Sequence, residues 1–119
     1  MIEDAPNVVT EEGLRGLLAD GFLLEVVCKE GAEKRHNSWH GTWIIRAVTE
    51  DGRDDKILVT SRSYLRVREF KTIVGLVSFL ADMGCTVASI PLVEAEHALH
   101  AAPGQSSAPR TRPVLVKDS

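Results

Sequence analysis

The feature that most constrains this chain is a change of hydrophobic period inside Tyr64–Gly84, YLRVREFKTIVGLVSFLADMG. Up to Phe70 the residues alternate, with Leu65 and Val67 on one side and Arg66 and Arg68 on the other, the two-residue repeat of extended chain. From there Ile73, Leu76, Val77 and Leu80 fall at the i, i+3, i+4, i+7 spacing of a helix with one continuous apolar face. Thr72 suits the N-cap and Gly84 the left-handed stop, which predicts a helix from about Thr72 to Met83. A strand that runs directly into an amphipathic helix implies a sheet and a helix sharing one core, the α+β class.

The remaining segments fit that frame. Thr10 caps a helix expected over 11–19, with Glu11 and Glu12 in its first turn, Leu14, Leu17 and Leu18 on its apolar face and Gly21 ending it. FLLEVVCK alternates and reads as a strand over 22–29, with Phe22, Leu24, Val26 and Cys28 together on one face. EGAEKRHNSWH, with Gly31 and Asn37, reads as a mobile loop, the 30–39 loop. HGTWIIRAVT is a second strand, in which Trp43 is the clearest core residue, and EDGRDD is a tight turn into a third, KILVTSR. CTVASIPL reads as the last strand, with Pro91 suited to an edge or an end, and VEAEHALHAA as one or two helical turns. The expected architecture is α-β-β-β-α-β, a single α+β domain whose antiparallel meander is covered by helices. Residues 1–9 precede this domain, 10–101 form it, and PGQSSAPRTRPVLVKDS belongs to a flexible tail over 102–119.

Composition narrows the functional classes. The 119 residues, 44% hydrophobic and 26% charged, suit one domain with a working core. No apolar run approaches the roughly 20 residues of a bilayer span, and the acidic start MIEDAPNVVTEE is unlike a signal peptide, so a cytoplasmic protein with no membrane partner is expected. Cys28 and Cys85 then read as reduced core thiols. GxSxG, Walker A, GxGxxG and HExxH patterns do not occur in the sequence, and the reading is of a protein that is not an enzyme and uses no cofactor. Cys28, His36 and His40 have a C-x7-H-x3-H spacing, but closing a zinc site needs a fourth ligand such as Cys85 far along the chain; exposed loop histidines and no metal are the simpler reading. Asp54 and Asp55 belong to the turn.

The cations are the more pointed constellation. Lys34 and Arg35 lie in the loop, Arg46 on the second strand, Arg62, Arg66 and Arg68 along and after the third, and Lys71 at the start of the helix. If the meander gathers them, guanidinium groups stand near Trp39 and Tyr64, suited to stacking bases and gripping phosphates. Against this, the net charge is −3 and the pI about 5.8, and scattered strand cations pair with nearby acids or guard sheet edges.

The order of these elements resembles that of ParC-like partition-associated small proteins of bacterial plasmids and mobile elements. Leu58, Thr60 and Arg62 of LVTSR match its Leu-Thr-x-Arg strand, Arg68, Phe70 and Thr72 of REFKT its Arg-x-Phe step and helix start, and Met83 and Gly84 its Met-Gly helix end. The similarity covers about residues 14–92 and departs from the pattern in EGAEKRHNSWHGT and the tail. It implies a non-enzymatic mobile-element accessory protein associated with plasmid maintenance, and it does not say which molecule is bound. Two readings follow. One is nucleic-acid binding through an arginine-bearing sheet face formed by Arg46, Arg62, Arg66, Arg68 and Lys71. The alternative is a protein-binding adaptor, or an inhibitor of a host defence complex, that uses the 30–39 loop and exposed strand faces. The partner is accordingly DNA or a nucleoprotein or protein complex, and the edge strand ending at Pro91 or the first helix offers a surface for a homodimer.

Overall fold

Both helices begin where a threonine hydroxyl takes up a free amide of the first turn. The computed structural model describes residues 7–61 and 65–101, with α1 at Glu11–Ala19 and α2 at Ile73–Asp82. Thr10 accepts from the Gly13 amide and Thr72 from the Gly75 amide, caps that each contribute about 1 kcal/mol. Beyond α2 the chain turns at Gly84, whose φ of 99° is open to glycine and costly for other residues. The expected bounds of both helices are met.

The sheet departs from a simple meander. Its strands are β1 (Val8–Val9), β2 (Leu23–Arg35), β3 (Ser38–Val48), β4 (Asp55–Ser61), β5 (Leu65–Val67), β6 (Phe70–Thr72) and β7 (His97–His100). Five of them run in the order β1-β4-β3-β2-β7, β5 pairs with β4, and β6 pairs with β3. β1 is parallel to β4 and the other pairs are antiparallel. The domain is therefore α+β, as expected, with a mixed, strongly curled half-barrel sheet in place of the pure meander. The curl has a local cause in β3, which pairs with β4 at Arg46–Val48 and with β6 at His40 and Trp43. Where β4 leaves β3, β6 takes over the vacated edge.

Two segments differ from their sequence reading. The expected loop after residue 29 is strand: β2 continues to Arg35 and returns as β3 from Ser38 through a two-residue turn. His36 and Asn37 both have positive φ, 52° and 70°, the geometry of the hairpin turn whose twist matches the strands. CTVASIPL, expected as the last strand, is irregular, and the closing strand is His97–His100, where helical turns were expected. The reason is visible in the packing. Ile90 packs against the core, while Val87, Leu92 and Val93 are exposed, so the segment anchors at a few points and does not alternate into a sheet. The turn at EDGRDD forms as predicted, with Gly52 at φ 77° and Asp51 accepting from the Arg53 amide and the Thr49 hydroxyl. These bonds, that of the Arg53 amide foremost, hold the Asp51 carboxyl below its ordinary pKa.

One face of the sheet and both helices make the core. Leu24, Val26, Cys28, Trp43, Ile45, Ala47 and Leu58 meet Leu14 and Leu18 of α1 and Leu76, Phe79 and Leu80 of α2. Both cysteines are free; Cys28 is buried and Cys85 half-buried, and burial pushes both thiols up. Trp43 is fully buried at the point where β3 changes partner, opposite Cys28 on β2 and Phe70 on β6. Its indole N–H donates to the Pro91 carbonyl at 2.7 Å, which pins the irregular segment under the sheet. His100 pins it again: its Nε2 accepts from the Ser89 amide at 2.9 Å and its Nδ1 faces the Leu24 carbonyl at 3.3 Å. Only a neutral ring protonated on Nδ1 serves both contacts.

Trp43→Phe keeps an aromatic side chain but removes the donor and part of the ring volume, leaving a buried carbonyl unpaired and the junction underfilled. We expect a loss of about 1–3 kcal/mol in urea unfolding, and a loss well below that range would show that the bond to Pro91 is dispensable. His100 gives a pH dependence. Burial lowers its pKa from the ordinary 6.5, against the opposing effect of the Leu24 carbonyl. Above about pH 6.5 both states are neutral and its contribution is complete; below it the unfolded chain takes up a proton that the folded ring resists. Stability should fall as pH drops from there through the lowered folded-state value, and His100→Gln should flatten that slope. An unchanged slope in the variant would assign the effect to other groups.

Candidate functional site

β2 changes character at Lys29. The strand is buried from Leu24 to Val26 and at Cys28, then mostly exposed from Lys29 to Arg35, while β3 is exposed at Ser38 and Trp39 before becoming core. The two strands thus leave the core as a two-stranded arm. Its pairs Glu33 with His40, Lys34 with Trp39 and Arg35 with Ser38 give the arm two faces. Lys34 and Trp39 share one face, and Trp39 is 42% exposed. Glu33, Arg35 and His40 share the other.

The second face borders a hollow at the base of the arm. The register of β2 against β3 slips between Cys28 and Glu30 and again between Glu30 and Glu33, bulges that bend the strand away from its neighbours. A residue with a side chain at Gly41 would set its Cβ 3.0 Å from the Glu30 carbonyl oxygen and 3.0 Å from the Trp43 ring, so glycine is what lets the strands close here. The resulting open hollow of about 670 Å³ is lined by Lys29, Glu30, Glu33, Arg35, His40, Thr42, Lys71 and Glu94. Inside it Lys71 Nζ donates to Thr42 Oγ1 at 3.0 Å, and Thr42 donates to Glu30 Oε1 at 2.8 Å. Lys71 is also paired with Glu69 at 3.3 Å, and Arg35 with Glu33 at 3.2 Å. The buried Nδ1 of His40 has no hydrogen-bond partner among the described residues. Cations and carboxylates alternate around the hollow, so it presents no field of one sign.

The other cations of the sequence reading go elsewhere. Arg46 lies on the sheet face away from the helices, with Nε 3.0 Å from Glu25 Oε1 and Nη2 3.3 Å from Asp55 Oδ2. The Nε–Oε1 contact is close but lacks hydrogen-bond alignment, so it balances charge without satisfying either atom. His97 Nδ1 approaches the other oxygen of Glu25 at 2.9 Å, which draws β4, β3, β2 and β7 into one polar row. Arg68 stacks over Phe70 and Phe79 at 4.8 and 5.0 Å, and its Nη1 donates to Glu11 of α1 at 3.1 Å. Arg66 is exposed on β5, in register with Thr60. Arg62 and Tyr64 lie outside the described residues, as does the tail over 102–119.

The structure therefore brings Lys34 and Trp39 together, and places Arg35 and Lys71 around one hollow. Arg46 lies farther along the face of β3 that carries His40 and Thr42, balanced by Glu25 and Asp55, and Arg68 is on the helix side of the sheet. Arg68 is a joint between α1, the strand and α2, helped by Arg15, which bonds the Asp82 carbonyl at the end of α2. Lys29, Glu30, Glu33, Thr42 and Glu94, which complete the hollow, were not singled out in the sequence, and His40 was weighed there only as a metal ligand, because the bulges that assemble them leave no periodic signal. The Cys28, His36 and His40 spacing does not converge: Cys28 bonds the Glu30 carbonyl inside the core and His36 sits at the arm's turn. Among the described residues no group of three His, Cys, Asp or Glu side chains is placed to hold one metal ion, and no helix is long and apolar enough to cross a membrane.

If Arg68 is a joint, Arg68→Ala should cost about 1–2 kcal/mol, the sum of a partly exposed stacking contact and an ion pair. Arg68→Lys should recover only part of it, since an ammonium lacks the planar stacking surface. A stability equal to wild type in both variants would return Arg68 to the pool of contact residues. No protein-family model matches this chain, and neither a curated protein nor a solved structure is significantly similar to it.

Proposed function

We propose that this chain is a binding module without chemistry of its own, that its contact element is the β2–β3 arm, and that its partner is a protein. The observation that carries the reading is Trp39, exposed beside Lys34 on one face of a two-stranded arm. Tryptophan is among the residue types from which interface anchors are most often drawn. The short turn and the unbroken pairing from Glu33–His40 to Arg35–Ser38 limit the entropy that the arm's tip loses on binding. The distribution of charge supports the same choice. Arg46 and Arg68 are balanced by Glu25, Asp55 and Glu11, and Lys71 by Glu69, so little positive charge is left to neutralise phosphates.

A second reading rests on the arm's tip. Lys34, Arg35 and His36 lie beside Trp39 on a two-stranded ribbon, a shape that the major groove of DNA admits. On this reading the arm, in place of the arginine-bearing sheet face, is the nucleic-acid contact, and the resemblance to partition-associated proteins supplies a setting in plasmid maintenance. The pairing of Arg35 with Glu33 and the net charge of −3 weigh against it.

Two variants separate the readings. Trp39→Ala should weaken capture of a stoichiometric protein partner from the source lysate by about tenfold or more, with an unchanged unfolding midpoint. The double variant Lys34→Ala with Arg35→Ala should leave gel shifts of single- and double-stranded DNA as weak as those of the wild type at low salt. DNA binding at low salt that this double variant removes, with no protein partner captured, would replace the protein reading by the nucleic-acid one.

A further inference from the structure

We infer that the free edge of β7 pairs with β7 of a second copy, giving a two-fold dimer with one continuous sheet. The inference is independent of the arm, which lies at the other end of β2. Among the described strands the path ends on β1 at one side and β7 at the other. β1 offers two residues and β7 four.

The direction of the β7 backbone groups follows from the bonds at its start. Cys28 N–H donates to the Glu96 carbonyl at 2.9 Å, so that carbonyl points toward β2. Groups alternate along a strand, hence Ala98, opposite Val26, and His100, opposite Leu24, also face β2. The N–H and C=O of His97 and Leu99 face the other way, where no described strand lies. These open positions are symmetric about Ala98. A second copy turned by a two-fold axis through Ala98 sets its Leu99 opposite His97 and its His97 opposite Leu99, and each pair can exchange both N–H···O bonds.

The edge is complementary to itself. In that register Glu96 stands opposite the buried, neutral His100 of the second copy and no like charges are directly opposed, so nothing in the pairing repels a second copy. The edge also lacks the lysine, proline or bulge that keeps strand edges single; its central side chain, Leu99, is 51% exposed, with Leu92 and Val93 exposed on the preceding turn. A β7-to-β1 contact would instead be heterologous and would propagate.

Sedimentation of the full chain from about 1 µM to about 1 mM should show a monomer–dimer equilibrium. Leu99→Pro removes the outward N–H and leaves the bonds to β2 intact, so it should weaken the dimer by about tenfold or more. Leu99→Lys, at an exposed position that folding tolerates, should do the same through an edge charge, and it keeps the test decisive if the proline variant fails to fold. A wild type that stays monomeric throughout, a dimer that survives Leu99→Lys, or species that grow past the dimer with concentration would each overturn the inference.

Discussion

The bond from the Trp43 indole to the Pro91 carbonyl holds together parts of the molecule that nothing local would join. Trp43 sits in the central strand at the point where one neighbour, β4, gives way to another, β6, so its ring fills the space opened by that exchange. A smaller side chain would leave the junction underfilled, and an equally large apolar one would leave a buried carbonyl without a donor. With the bond made, the irregular run after α2 can cross beneath the sheet and deliver β7 to the edge of β2. His100 closes the same crossing from the far end through the Ser89 amide and the Leu24 carbonyl. A strand of four residues is thereby placed by two side-chain contacts as well as by its pairing with β2.

Charge is the second organising constraint. Several cations that look available in the sequence have carboxylates within contact distance in the fold. Arg46 lies between Glu25 and Asp55, Arg68 reaches Glu11 from above two phenylalanine rings, and Lys71 is shared by Glu69 and Thr42. An arginine stacked on aromatic rings and bonded to a neighbouring helix works as a structural joint, because its planar group can satisfy both contacts at once. On the arm, Lys34 and Trp39 face away from the hollow and neither packs into the core.

The helices were legible because each is specified by contacts within one or two turns. Thr10 and Thr72 as caps, Glu11 and Glu12 in the first turn, and the spacing of Ile73, Leu76, Val77 and Leu80 are all local, and the structure has both helices where these signals put them. The alternation of Leu24, Val26 and Cys28 likewise put these three residues on one face of β2, and the structure shows that face to be the buried one. The arm was not legible. Its residues are polar on both faces, so no alternation separates strand from loop, and the only trace of the turn is an asparagine, Asn37, able to adopt positive φ. The segment CTVASIPL misled in the opposite sense: its composition suits a strand, but Pro91 supplies a carbonyl to Trp43 and the chain there follows the demands of that bond.

The sequence by itself left open which faces of the central strands are buried; what it determined is the α+β class, both helices with their ends and the EDGRDD turn. These depend on side-chain periodicity and on caps, which act over a few residues. Tertiary structure alone decided that the sheet is mixed and curled, that β3 changes partner at Trp43, that residues after Lys29 form an arm beside a hollow, and that the arginines disperse. Each of those outcomes depends on contacts between residues far apart in the chain, such as Arg68 with Glu11 and Trp43 with Pro91, whose energies no local pattern records.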